Sequence, residues 1–320
     1  MKRLVAAALL LLAFSLVTTG FLLRARPQNM VSHPIRINSK ALSEEGLTLI
    51  SPSDADFDRQ LASLKDEAGG LRKAVDANRL LCVFLKNSGR QTAVAYVLKW
   101  EFQRANGTVL TRSVSYGSPG AFGGPNQKAD SGLMGMGDQV PAQATRLVSL
   151  DPSLSSIALA ISGPGKASRD GLYRALEGYV SHTDRVREGL LESVASVTVS
   201  LDGVFFEDGT FVGPDTTNFF AEFQAEIDAQ RDVAQEVGRS LGTDMSAPGL
   251  AKAVEGLKNA RGRKHFDDPR VTAHYDEFVS LYADEYLSVQ SRRGVEGALE
   301  HGRRQLEKQY PVLRKKADAK

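Results

Sequence analysis

His265, Asp267, Asp268, His274, Asp276 and Glu277 crowd two imidazoles and four carboxylates into one short stretch of this 320-residue sequence. Those residue types can share a proton or hold a divalent cation. Asp268-Pro269 is, however, a helix-start pair, with aspartate as N-cap and proline as the first helical residue. Asp268 is therefore expected to cap, and His274 to lie beside the Tyr275 and Phe278 face of the helix that follows. Asp276 and Glu277 then fall on its solvated side. On this reading His265, Asp267, Asp268 and His274 form no metal or acid–base site, and no residue is assigned as catalytic, cofactor-binding or metal-binding.

Other chemistry is sparse. The sequence contains no His-Glu-x-x-His, no Gly-x-Ser-x-Gly and no Walker A loop,. Gly163-Pro164-Gly165-Lys166 has Ala160 and Ala167 where a phosphate loop needs glycine and a hydroxyl,. Asp54, Asp56 and Asp58 are spaced like the first ligands of a calcium loop. Arg59 and Lys65 occupy the positions that need glycine and glutamate, so the aspartates are expected to charge a helix start, with Ser53 as its N-cap,. Cys82 is the one cysteine, which excludes an intramolecular disulfide, and its apolar run Leu80–Leu85 makes it a buried hydrophobe,. The Gly117–Gly137 stretch reads as a long loop, either a flexible connection or a binding loop with Phe122, Leu133, Met134 and Met136 as anchors. Asn106-Gly107-Thr108 fits a glycosylation acceptor, yet a turn accounts for it fully.

The elements that must position such groups begin with the N-terminus. Met1-Lys2-Arg3 is basic, and residues 4–23 carry no charge. A run of that length and flank is either an uncleaved membrane anchor or a cleaved signal peptide. Both place the remainder outside the cytoplasm, periplasmic or secreted. Residues 24–46, broken by Pro27 and Pro34, are expected to be a linker. With 40 basic against 38 acidic residues the chain is near neutral, so no nucleic-acid partner is expected,. The tail from Arg303 to Lys320, with seven basic and two acidic residues, reads as a solvated helix end and a disordered terminus, or else as a contact for anionic lipid or polymer,.

Between residues 47 and 214 the period is mostly two. Val94, Tyr96, Leu98, Trp100 and Phe102 share one strand face, and Lys99, Glu101 and Gln103 the other. Asn106-Gly107 predicts a two-residue hairpin turn that sets Glu101 opposite Arg112. Further strands are expected at Arg146–Leu150, Ser156–Ser162, Val194–Phe206 and Thr210–Val212. Helices are expected over Asp54–Ala77, interrupted at Gly69-Gly70, and over 168–192. The buried tryptophan on an early strand resembles the immunoglobulin and fibronectin type III arrangement at the level of fold alone, because the paired cysteines are missing. After Gly213-Pro214-Asp215 the period is helical. Phe220, Phe223, Ile227, Ala234, Val237 and Leu241 form one stripe, and Val271, Tyr275, Phe278, Tyr282, Tyr286 and Val289 a second. Two shorter helices are expected near 249–260 and 295–309.

The expected molecule is α+β: an antiparallel β-sandwich with helical decorations over 47–214, followed by an α-helical domain over 215–320. Its expected role is that of an exported, non-enzymatic envelope protein acting in structure or through a protein partner, with the membrane contacted through residues 4–23 if they are uncleaved. The alternatives are an extracytoplasmic hydrolase, assembled if His182, His265 or His274 meets carboxylates in a deep pocket, and a carbohydrate-binding module, which needs exposed aromatics.

Overall fold

A computed structural model describes residues 35–64, 69–117, 139–162, 190–191, 193–244, 246–260, 262, 264–307 and 311–316. Outside the described residues lie the apolar run 4–23, most of the Gly117–Gly137 loop, Gly163–Lys166, His182 and most of the helical pattern over 168–192. From Ile35 onward the chain forms one compact unit. Its order is β1 (Arg36–Lys40), β2 (Leu47–Ile50), α1 (Asp56–Ser63), α2 (Gly70–Ala77), β3 (Cys82–Asn87), β4 (Ala93–Arg104), β5 (Val109–Tyr116) and β6 (Ala144–Ser149). There follow α3 (Pro152–Ser162), β7 (Val194–Phe206), β8 (Thr210–Val212), α4 (Phe219–Thr243), α5 (Ala247–Asn259), α6 (Pro269–Glu307) and β9 (Arg314–Lys315).

The class is α+β, with six helices and two sheets among the described residues. One sheet is antiparallel, in the order β2-β3-β6; the other runs β5-β4-β7-β8-β9, with β1 also on β7. One apolar cluster draws Leu47, Val83, Leu85 and Val148 from the first sheet and Leu98, Trp100, Phe102, Val197 and Val199 from the second. Tyr116 of the larger sheet donates its hydroxyl to the Ser149 carbonyl of the smaller. The far side of the smaller sheet is covered by α1, α2 and α3, through Phe57, Leu61, Leu71, Val75 and Leu154 packed on Cys82 and Phe84. Both faces of β3 are therefore dry, which is why its sequence is apolar without alternation. The Cys82 thiol is pushed up to about 12, chiefly by burial, with Asp151 adding and a Ser149 hydrogen bond opposing. Thiol reagents are accordingly expected to leave the folded protein unlabelled at neutral pH and to label it once unfolded; mass spectrometry of the adduct checks this.

Several expectations need correction. The larger sheet is mixed rather than antiparallel, because β1 joins β7 and β9 joins β8 in parallel. Arg36–Lys40, expected within the linker, is thus a strand. Ser156–Ser162, expected as a strand, belongs to α3. Asp151 accepts the Ser153 N–H at 2.9 Å ahead of Pro152, and Leu154 and Ala158 are buried one turn apart. Ser53 caps nothing, since Ala55 holds the N-cap position of α1 and the Ser53 hydroxyl donates to Ile37 O. Asp56 and Asp58 do lie in the first turn of α1.

The hairpin forms, with its register one residue from the expected one. Glu101 faces Thr111, and Arg112 faces Trp100. Only Gly107, at φ +84°, takes the left-handed conformation; Asn106 does not, so the turn cannot be the two-residue type that needs both,. Instead Arg104 N donates to Thr108 O at 2.8 Å and Gly107 N to Arg104 O at 2.9 Å, closing a three-residue loop. Asn106 Oδ1 accepts the Thr108 N–H at 3.0 Å and holds it.

The helices α4, α5 and α6 share a core of Val233, Val237, Leu250, Val254, Tyr275, Val279 and Tyr286. Within α6 the backbone breaks at Gly294, with φ 75° and ψ −179°. The break reverses the chain, since Tyr286 and His301 rings lie 5.0 Å apart, whereas fifteen residues of straight helix span about 22 Å. The tail is not a free terminus over 311–316. It runs beside β8 as β9, with Arg314 on Asp208, Lys315 on Asp215 and Lys316 on Glu45 at 3.4, 2.7 and 2.7 Å.

Candidate functional site

The outer face of the larger sheet changes character along its length. At one end Val94, Ala95, Val97 and Phe205 are apolar and covered by Phe219, Phe223 and Ile227 of α4. A register shift between β4 and β7 falls between Val97 and Leu98. Beyond it the rows become polar: Lys99 lies between Ser200 and Ser113, and Glu101 between Thr198 and Thr111. Gln103 lies between Ser196 and Val109, and β1 extends the three rows with Lys40, Asn38 and Arg36.

A cleft of about 400 Å³ opens where the two halves meet, lined by Val97, Lys99, Thr111, Ser113, Ser115, Thr216, Thr217, Phe219, Glu222 and Arg270. Its wall is fixed by Asp202, a buried carboxylate of β7. Asp202 Oδ1 accepts Thr216 N at 3.2 Å and Thr216 Oγ1 at 2.6 Å. Oδ2 accepts Thr217 N at 2.8 Å and Thr217 Oγ1 at 2.7 Å. Burial pushes this carboxyl upward, but the four donors outweigh it and hold it below the usual carboxylate range,. Its stabilising contribution is present above the unfolded pKa and is lost as pH falls through the folded one. Asp202→Asn, which surrenders the charge and turns one acceptor into a donor facing a donor, is expected to cost about 2 kcal/mol in urea unfolding. It should also flatten the acid limb of the stability curve.

Within the cleft Lys99 Nζ lies 3.3 Å from Glu101 Oε1 and donates to Thr216 Oγ1 at 3.3 Å. Glu222 is pushed up, first by burial and then by the Asp268 and Asp215 carboxylates, against the pull of Arg270. Arg270 pairs with Asp268 at 2.7 Å. Its side-chain and backbone N–H groups hold Asp268 at about 2. Asp268 Oδ1 accepts the Arg270 backbone N–H at 2.8 Å, so it caps α6 as the Asp-Pro pair implies.

The remaining sequence candidates do not converge. His265 and Asp267 are exposed. Half-buried His274 packs on the Phe278 ring at 4.6 Å, and burial lowers its pKa against the pull of Glu277. Asp276 accepts the Gly262 N–H at 3.1 Å. Among the described residues no group of three His, Cys, Asp or Glu side chains is placed to hold a metal ion. Trp100 is fully buried. A second cleft of about 320 Å³ lies between α4, α5 and α6; on its rim Tyr275 donates to Asp232 at 2.7 Å and Lys264 to Asp228 at 2.5 Å.

Sequence reasoning places Lys99, Glu101, Ser196, Thr198 and Ser200 on the outward faces of their strands. It misses Thr216, Thr217, Glu222 and Arg270, which only the docking of α4 and α6 brings to the same cleft. The signal for Asp202 is the single charged residue inside the strand Val194–Phe206. Comparison with protein families, characterised proteins and solved structures finds no match to this chain. Among the described residues no helix is long and apolar enough to cross a membrane.

Proposed function

We propose that the chain is an exported, non-enzymatic protein of the cell envelope, periplasmic or secreted. Its two facing sheets form a sandwich scaffold for binding a protein partner, with residues 4–23 as its membrane anchor or signal. The observation that carries this reading is the uncovered half of the outer sheet face. Three rows of polar side chains end at a cleft whose cations are already neutralised, Lys99 by Glu101 and Arg270 by Asp268. Such a surface offers many hydrogen bonds and little net charge, which suits recognition by an extended polar surface. A photo-crosslinking residue in place of Thr111, in the native envelope, is expected to yield a discrete protein adduct. The same residue in place of the exposed Lys252, on α5, should yield none. Adducts from neither position, or the same adducts from both, would refute the proposal.

One observation favours the hydrolase alternative: Glu222, whose carboxyl burial pushes above its ordinary value, stands in a cleft beside Arg270,. It requires that Glu222→Gln abolish a turnover that the wild type performs. The carbohydrate alternative lacks its platform among the described residues, because the exposed large hydrophobics Val109, Leu281, Leu306 and Val312 include no aromatic.

A further inference from the structure

We infer that the outer edge of β5, unpaired among the described residues, docks an extended segment of a partner protein, of the pattern apolar–x–acidic–x–apolar, by adding it as a strand to the larger sheet. The inference rests on the protein-interaction reading above and names the chemistry of the partner. The first observation is directional. The bond from Arg104 N to Thr108 O fixes which pairs across the hairpin are hydrogen-bonded. They recur at every second residue, Phe102 with Leu110, Trp100 with Arg112 and Leu98 with Val114,. The N–H and C=O groups of Val109, Thr111, Ser113 and Ser115 therefore point away from β4. Among the described residues no strand pairs with them.

The second observation is Arg112. The three-residue loop denies it the Glu101 partner that a two-residue turn would have supplied. It sits opposite Trp100, on the core side of the sheet, yet its side chain reaches solvent at the edge. Its guanidinium donates to its own strand, at Thr111 O, 3.3 Å away. It has no carboxylate among the described residues. Leu110 and Val114, on either side of it, are half-buried against the core and incompletely covered. A strand added to this edge would lay its core-side residues beside Leu110, Arg112 and Val114 in turn. Apolar, acidic and apolar side chains complement them.

A second copy of this chain fits poorly. Two β5 edges paired about a twofold axis at Arg112 bring like charges face to face, and a slip of two residues sets each guanidinium against an aliphatic chain. An inward-pointing charge on an edge strand also guards against unselective pairing. Guarding alone is the competing outcome.

The test uses the full chain in detergent micelles and two end-blocked, fluorescein-labelled probes, Thr-Val-Thr-Glu-Thr-Val-Thr and the same peptide with Lys for Glu. Fluorescence anisotropy is expected to show saturable binding of the glutamate peptide, about fivefold tighter than the lysine peptide. Arg112→Glu should invert that preference. Ser113→Pro should abolish binding of both, because it removes an outward N–H while leaving the bonds to β4 intact. Should Ser113→Pro prevent folding, Arg112→Glu, a change at an exposed side chain, decides alone. Absence of binding, or a preference that Arg112→Glu leaves unchanged, overturns the inference. If the peptides fail while crosslinks from position 111 persist, the interaction reading stands without this edge. If both vanish, both fall.

Discussion

Replacing Trp100 by alanine is expected to lower the free energy of unfolding by about 4 kcal/mol. The side chain is fully buried in the cluster that draws on both sheets. Its neighbours include Phe102 and Val199, set by strand registers that a local collapse would break, so the cavity stays largely open. A second substitution separates packing from polarity. Trp100 Nε1 is buried and has no acceptor among the described residues. A buried, unpaired donor costs about 1–3 kcal/mol. Trp100→Phe loses ring volume but also removes that donor, and is expected to cost only about 1 kcal/mol. Urea unfolding of the three proteins measures both effects. Because Trp100 is the only tryptophan, native emission must also be that of a ring shielded from water. If Trp100→Phe costs as much as Trp100→Ala, the N–H makes a bond that stabilises the core.

The same residues show why strands and stripes are legible in this sequence and the site is not. Alternation over Val94–Phe102 and Val194–Phe206 states which side chains face a core; β4 follows it from Tyr96 to Phe102 and β7 from Val197 to Leu201, whereas register shifts turn Val94 to the α4 side and leave Ala195 exposed. It also states the opposite face, so Lys99, Glu101, Ser196 and Ser200 are readable as outward. Their meeting with Thr216, Glu222 and Arg270 depends on contacts more than a hundred residues apart, such as Lys99 with Thr216, and no local pattern encodes them. Register at the hairpin is ambiguous because Asn-Gly serves both two- and three-residue loops, and one residue of difference moves Arg112 away from Glu101. In α3 the Asp151-Pro152 pair is the same helix-start signal that identifies α6. The alternation of Ile157, Leu159 and Ile161 hides a helix whose Leu154 and Ala158 face the smaller sheet. The segment β1 has a single apolar residue, Ile37, between Arg36 and Lys40. It is held by backbone pairing to β7, to which composition is blind. The basic tail likewise finds Glu45, Asp208 and Asp215 on three separate segments, so its charge run resembles a solvated end.

The pairing of α4 with α6 is expected to weaken as pH rises through neutrality, by roughly 3 kcal/mol in unfolding free energy between about pH 5 and pH 9. The cause is Glu226, buried on α4, whose carboxyl burial pushes up to about 8 from an ordinary 4.5. The Tyr282 hydroxyl donates to its Oε1 at 2.9 Å and pulls the other way without reversing the shift. Below about pH 4.5 the group is protonated in both the folded and the unfolded chain, and folding gains the full contribution of a neutral, hydrogen-bonded side chain. As pH climbs toward 8 the unfolded chain gives up the proton and the folded chain keeps it, so stability falls at up to about 1.4 kcal/mol per pH unit. Water entry and side-chain relaxation around the ionised form reduce the total below that limit. Glu226→Gln keeps an oxygen for the Tyr282 donor and cannot ionise. It should therefore be more stable than wild type at pH 9 and differ little at pH 5. His274, whose lowered pKa works with the opposite sign, is unchanged by the substitution, so the difference between the two proteins isolates Glu226. Parallel urea titrations across that range are the measurement, and a wild-type curve that tracks the Glu226→Gln variant at every pH would show that the carboxylate is accommodated in the folded state.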